Sequence, residues 1–435
     1  MHRKMATTII FALACAGTVV FALVKPQIRV KGYELSVFYV PALLGALILV
    51  FSGLLDWSAA VNGLTADTDI NPLKILALFL SMTLLSVFLD ETGFFRYLAS
   101  LAVRKCGGSQ VRLFIIFYCM VSALTVFTSN DVVILTFTPF ICYFSKNARV
   151  DPVPYLVSEF VAANTASMLL IIGNPTNIYL GTMAGIDFFP YVKVMALPAV
   201  CATVTAFAVL LALFYKRLKA PVSAAPENVV IEQKTLLVFG LAVLSVCTLA
   251  LAVSGFIDVP MWLISVAGLL TLLIGVFLIS LLKCRRPGEL LRTFRRGPWE
   301  VVPLVISMFI LVLALEASGA TAVIAGLLNS GNTLFTYGIA SALAANLINN
   351  IPMSVLFSSL LMGGGDDLPA VYASVIGSNI GAYITPIGAL AGVMWLGILR
   401  NQGINFGFAK FVAYGACVAV PALLAALAGL LAAGP

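Results

Sequence analysis

Apolar runs long enough to cross a hydrocarbon core of about 30 Å as a helix, roughly 20 residues each, recur along the chain from Met5 to Ala432. Polar residues fall mostly in the short gaps between them. The pattern predicts helices at 36–54, 72–91, 191–215, 235–254, 261–282, 301–318 and 411–432, after a first apolar run at Met5 to Val24. Four polar stretches break the rule by sitting inside apolar surroundings: "TSND" (Thr128 to Asp131), "GNPTN" (Gly173 to Asn177), "NNIP" (Asn349 to Pro352) and "TPIG" (Thr385 to Gly388).

Lys and Arg cluster at Lys25/Arg29/Lys31, Arg96/Arg104/Lys105/Arg112, Lys146/Arg149, Lys216/Arg217/Lys219 and Lys283 to Arg296, whereas Asp56, Asp67 and Asp69 share one connection. Basic loops mark the cytoplasmic side. With that orientation, the arms 113–128 and 132–144 around "TSND" have cytoplasmic flanks at both ends, which predicts a re-entrant hairpin stopping inside the membrane. The arms 335–349 and 351–362 around "NNIP" have the same form, and their flanks, Ser330 to Asn332 and Asp366/Asp367, lack Lys and Arg. That hairpin is expected to enter from outside. Arg3 and Lys4 are the exception, because an inward first helix leaves them outside.

The two halves share sequence. "LDETG" (Leu89 to Gly93) precedes the first hairpin and "LEASG" (Leu315 to Gly319) the second; afterwards "NPTNIYLGTM" (Asn174 to Met183) parallels "TPIGALAGVM" (Thr385 to Met394). "LDETG" ends an inward helix and "LEASG" an outward one, so the repeat is inverted, as in many secondary transporters. The expected fold is an all-α polytopic membrane protein of two inverted repeats, with about 10 crossing helices, two re-entrant hairpins and helices broken near the midplane. The first repeat spans 1–215, with hairpin 113–144 and broken helix 152–190. A cytoplasmic linker follows at 216–234, then the second repeat at 235–435, with hairpin 335–362 and broken helix 369–399.

Composition agrees. Of 435 residues, 61% are hydrophobic and 10% charged, and the mean hydropathy is +1.08, against roughly 45–50% apolar residues in soluble domains. The net charge of +7 lies in short loops rather than in a basic patch with interleaved aromatics, so no nucleic-acid partner is expected. The cysteines (Cys15, Cys106, Cys119, Cys142, Cys201, Cys247, Cys284, Cys417) form no CxxC pair, and His2 is the only histidine. Neither a metal centre nor a cofactor is expected. No HExxH, nucleophile elbow or P-loop occurs, so the chain does not read as an enzyme.

A helix break in hydrocarbon survives only where protein or a watery cavity satisfies the freed backbone groups. Pro175 removes a donor, Gly173 lets the backbone approach a ligand, and Asn174, Thr176 and Asn177 add donors and acceptors. Thr385 to Gly388 supplies the matching break; its bland alternative, like that of the first, is a capped proline kink. Candidate solute- or ion-binding residues are Ser129, Asn130, Asp131, Asn174, Thr176, Asn177, Asn349, Asn350, Asn379 and Thr385. Ionisable groups within spans are functional candidates: Asp131, Glu159 and Glu316 are the coupling candidates. Their alternatives are a cap on a helix starting at Val132 for Asp131, pairing with Arg149 for Glu159, and an interfacial carboxylate for Glu316, as for Asp90 and Glu91.

"SNDVVILTFTPF", "LINNIPMSVLF", "YASVIGSNIGAYITPIGALAGVMWLGILR" and "LDETGFF" together resemble the arsenite permease (ArsB) and sodium/proton antiporter (NhaD) branch of the ion transporter superfamily, over roughly Val37 to Leu430. The resemblance implies a solute held between hairpin tips and helix breaks, with Ser129, Asn130 and Asp131 at the first tip, Asn349, Asn350 and Pro352 at the second, and Thr385 with Pro386 at the second break. Arsenite permeases commonly carry Asp and Lys before "ITPIG" where this chain has Asn379 and Tyr383. The function implied is export of arsenite or antimonite across the plasma membrane in exchange for protons. Alternatives are a transporter of the same fold for another small anion, carboxylate or Na+, and a channel. A homodimer, and docking on a separate ATPase subunit, are further implications of the resemblance.

Overall fold

The computed structural model describes residues 2–24, 27–30, 33–66, 71–221, 230–284, 286–362 and 367–434. Lys25, Lys31, Asp67, Asp69, Asp366 and residues 222–229 of the expected linker lie outside the described residues.

The first half opens with α1 (His2–Val24), a two-stranded antiparallel ribbon of β1 (Gln27–Val30) and β2 (Tyr33–Ser36), then α2 (Val40–Phe51), α3 (Trp57–Thr65) and α4 (Pro72–Glu91). A surface helix α5 (Phe94–Lys105) leads into α6 (Gln110–Phe127) and α7 (Asn130–Ala148). Then come α8 (Val153–Ala166), two 3-10 turns, α9 (Pro175–Met183) and the long α10 (Phe188–Phe214). The second half runs α11 (Lys234–Ala252), the single turn α12 (Ser254–Ile257), α13 (Met261–Leu282), the amphipathic α14 (Gly288–Arg295), α15 (Val301–Ala317) and α16 (Ala320–Leu328). It ends with α17 (Thr333–Ile348), α18 (Asn350–Met362), α19 (Leu368–Gly381), α20 (Leu390–Asn401) and α21 (Phe408–Ala433).

The same order of elements appears twice: a helix, a short helix, a helical pair, an interrupted helix and a long helix with an internal proline, Pro198 in α10 and Pro421 in α21. Gly93 and Gly319, the matching glycines of "LDETG" and "LEASG", both take left-handed conformations (φ 83° and 72°) that let the chain turn from α4 into α5 and from α15 into α16. The bend between α15 and α16 is 87°.

Among the described residues, α1, α4, α6, α10, α11, α13 and α21 are each long and apolar enough to cross a membrane. The other expected crossings come from shorter helices: α2, α15, and the interrupted pairs α8–α9 and α19–α20. Although α6 has the length, it ends at a tip that bonds to the centre of the molecule, as described below. The ribbon between α1 and α2 is absent from the sequence expectation, and α2 starts later than the expected 36 because Tyr33–Ser36 is extended.

Two sets of helices pack among themselves. One comprises α1, α2, α4, α11, α13 and α15; the other is built from α6 to α10 and α17 to α21, where α10 lies along α21 and α17 along α19. Large apolar side chains point outward on α11 and α13, among them Val246, Leu249, Ile274, Phe277 and Leu282, as lipid-facing surfaces require. Polar side chains collect inside instead.

Charged residues meet at both ends of the bundle. At the basic side, Arg292 and Arg296 at α14 hold Glu91 at 2.7 and 2.6 Å, and Arg296 holds Asp90 at 2.7 Å, all at the end of α4; Arg217 pairs with Asp151 on the same side. At the opposite side, Arg3 donates to Gly53 O (3.3 Å) and Lys4 to Gly319 O (3.1 Å), so the start of α1 lies beside the C-terminal ends of α2 and α15.

Candidate functional site

The first tip forms where α6 stops. Thr128 and Ser129 are extended and α7 begins at Asn130. Ser129 holds the N-cap position, so Asp131 lies inside the first turn and not at a cap before Val132, where its carboxylate meets the positive end of the helix. Asn130 Nδ2 donates to Asn164 Oδ1 at 3.2 Å, which joins the tip to the last turn of α8.

The first break follows at once. The α-helix ends at Ala166 and gives way to the turns Ser167–Leu169 and Ile171–Gly173 before Pro175 restarts it. Asn174 caps α9 by accepting from Thr176 N at 3.2 Å. Asn177 Nδ2 donates to Ser167 O (2.8 Å) and Leu170 O (3.1 Å), taking up carbonyls that the break has released. Gly173 packs against the Ser167 carbonyl, where any Cβ collides with backbone. Its close approach therefore serves the fold of the break itself.

The second tip and break are joined in the same way. Asn349 has φ 74° and ψ 153°, a conformation almost restricted to glycine. Its side chain holds it there, with Nδ2 donating to Ile387 O (3.0 Å) and Oδ1 accepting from Ile351 N (3.3 Å). Asn350 N donates to Gly388 O at 3.1 Å. Asn346 Oδ1 accepts from Thr385 N (2.9 Å) and Thr385 Oγ1 (2.7 Å), while its Nδ2 donates to Ala342 O and Gly381 O.

Asn379 connects the halves. Its Oδ1 accepts from Ser167 Oγ (2.8 Å) and Asn174 Nδ2 (3.2 Å), and its Nδ2 donates to Asn177 Oδ1 (2.6 Å) and Val375 O (2.8 Å). Thr165 and Tyr383 add a further bond of 3.3 Å between the breaks. The amide residues of this centre, Asn130, Asn164, Asn174, Asn177 and Asn379, are all buried. Around it, Ser129 Oγ, Asn130 Oδ1, Thr176 Oγ1 and Ser378 Oγ are buried without a partner. The N-termini of α7, α9, α18 and α20 all start at the tips and breaks, which adds four partial positive ends. The named side chains of the cluster are neutral, with Asp131 half-buried at its edge.

The structure thus brings Asn130, Asn174, Asn177 and Asn379 into one hydrogen-bonded centre, and Asn349, Asn350 and Thr385 into the adjoining tip and break. Glu159 is buried at 1% exposure, and Thr138 Oγ1 lies 3.0 Å from each of its carboxylate oxygens; this partner on α7 takes the place of Arg149. Glu316 is exposed at the end of α15 and belongs to none of the bonds that build the centre. Ser167 and Asn346, two of the most connected side chains, escaped the sequence reading. The visible signal for Asn346 was a further amide one turn before "NN"; Ser167 carried none.

The profile of the citrate transporter (CitMHS) family matches residues 37–377, which include both tips and the first break. The arsenical pump membrane protein of Escherichia coli K12 is 28% identical over 385 residues, covering 81% of this chain and 85% of its own length. That of Yersinia enterocolitica is 26% identical, covering 95% and 96%. Among solved structures, the Alcanivorax borkumensis YdaH transporter superposes with a TM-score of 0.57 at 15% identity, covering 99% of this chain and 98% of that one. The Neisseria gonorrhoeae efflux pump MtrF gives 0.54 at 13%, covering 99% and 94%. These two likenesses concern the fold. With a family match over most of its length and the interrupted, membrane-length helices described above, the chain belongs to the citrate transporter (CitMHS) family of multi-pass membrane transporters.

Proposed function

We propose that this protein is a secondary transporter of the plasma membrane that exports arsenious acid, or its antimony analogue, in exchange for protons. The carrying observation is the Asn379-centred cluster, a buried set of neutral amides and hydroxyls in which Ser129 Oγ, Asn130 Oδ1, Thr176 Oγ1 and Ser378 Oγ lack partners. Unmet buried hydrogen-bonding groups cost about 1–3 kcal/mol each, so a small neutral triol that supplies both donors and acceptors is stabilised there. The relatives named arsenical pump membrane proteins support the same solute.

The family's description favours a second reading, a carboxylate such as citrate. Four helix N-termini suit an anion, but no Lys or Arg belongs to the bonds that build the cluster, and a tricarboxylate needs counter-charge when desolvated. Proton coupling is assigned to Asp131, in the first turn of α7 at the first tip, and to Glu159, buried against Thr138 of the same helix, with Glu316 a third candidate. The two halves are read as inverted repeats, and the set containing both hairpins as the unit that moves against the other helices.

The test uses inverted vesicles with an imposed proton gradient, scoring arsenite, antimonite, citrate and sulfate. Arsenite uptake that collapses with the gradient is expected, with a loss of at least tenfold in Asn379→Ala and retained folding but weakened pH dependence in Glu159→Gln. Citrate flux without arsenite flux overturns the assignment.

A further inference from the structure

A cavity of about 280 Å³ lies at the outer ends of α4, α9, α10 and α13, away from the Asn379 cluster. Its lining includes Lys74, Thr182, Asp187, Ser254, Asp258 and Trp262. Three of these carry buried polar atoms without a partner: Thr182 Oγ1, Ser254 Oγ and Trp262 Nε1. Ser254 is only 2% exposed. Native proteins rarely leave such groups unmet, and three of them belong to residues that line this one cavity. The carboxylates of Asp187 and Asp258 stand exposed at the same cavity.

The lining also selects the chemistry. Trp262 Nε1 can only donate, so it needs an acceptor, whereas the carboxylates can only accept and need donors. A simple anion meets Asp187 and Asp258, and a simple cation leaves the Trp262 donor unmet. A small, neutral, hydroxyl-bearing solute satisfies both demands, because each hydroxyl donates and accepts.

Thr182 lies on α9, the half-helix that carries Asn174, Thr176 and Asn177 at its inner end. The offset from Asn177 to Thr182 corresponds to a rise of about 8 Å along a helix axis. Ser254, Asp258 and Trp262 belong to α12, its following turn and α13, so the cavity spans the seam between the two helix sets.

We propose that this cavity is a second, outer binding station for the same class of solute as the central cluster, a small neutral polyhydroxyl such as arsenious acid. The identification with the transported solute rests on the proposed function. The hydroxyl-binding chemistry stands on the cavity alone.

Boric acid, a neutral triol with no affinity for thiols, is the probe, since the free cysteines here complicate arsenite titration. The purified full chain in detergent is titrated while intrinsic fluorescence is followed. A saturable change is expected, which disappears in Trp262→Phe and persists in Trp57→Phe. Half-saturation should rise about threefold to tenfold in Ser254→Ala and in Thr182→Val, the loss of one neutral hydrogen bond, and return to the parent value in Ser254→Thr. Asn379→Ala should leave the titration in place. No change in the parent, a change that survives Trp262→Phe, or one abolished by Asn379→Ala overturns the proposal. Arsenite flux by the parent in vesicles without a boric acid response removes only the outer station, whereas a response without flux removes only the transported solute.

Discussion

Asn349 is held in a backbone conformation that costs an L-residue of order 1–3 kcal/mol, and two side-chain bonds to Ile387 O and Ile351 N keep it there. The strain and the bonds separate by substitution. Asn349→Ala retains the strain and loses both bonds; Asn349→Gly loses the bonds and relieves the strain. The alanine variant should therefore melt lower than the glycine variant, by a difference worth about 1 kcal/mol or more, in thermal unfolding of the detergent-purified chain. Equal melting would mean that the conformation carries no strain. Asn379 poses a different problem, because its Nδ2 donates to Asn177 Oδ1 at 2.6 Å. Asn379→Asp sets two acceptors against each other. Turning the Asn177 amide to repair that contact surrenders its bonds to Ser167 O and Leu170 O, so no local rotation restores the centre.

At the scale of elements, α14 is the piece that the hydrophobic pattern leaves unread. Its Arg292, with Arg296 just beyond its end, reaches the carboxylates at the end of α4, whose side chains are 9% exposed, although the arginines are largely in solvent. Exposed ion pairs contribute little alone, about 0–1 kcal/mol, and more as a network. A double-mutant cycle between Arg296→Ala and Glu91→Gln, read by thermal unfolding, should give a coupling of about 1 kcal/mol that shrinks in high salt. Zero coupling at low salt would show that α14 is not fastened to α4 through these charges. The sequence made the hairpins and breaks legible because polar residues inside apolar runs have few physical uses. Asn130, Asn174, Asn177 and Asn379 were found that way, and they meet. The role of Ser167 was illegible: a serine in a membrane helix is unremarkable, and its partner lies 212 positions away. Asn346 was hidden similarly by an ordinary helical position. The β1–β2 ribbon was missed because four-residue strands lack the length for a visible period. Asp131 and Glu159 were visible as charges, but only the fold supplied their surroundings.

For the molecule as a whole, reading each interrupted helix as one crossing and each hairpin as none gives, among the described residues, α1, α2, α4, α8–α9, α10, α11, α13, α15, α19–α20 and α21. That number is even. The bonds of Arg3 and Lys4 to Gly53 and Gly319 set the start of the chain at the end opposite the arginine clasp. With the basic loops read as cytoplasmic, both described ends are expected on the outer side of the membrane. A fluorescent fusion that matures only in the cytoplasm should stay dark when attached to either extremity, while an epitope at either site is reached by antibody on intact spheroplasts. A partner that works on the inner face would then meet connecting segments and the arginine-rich α14.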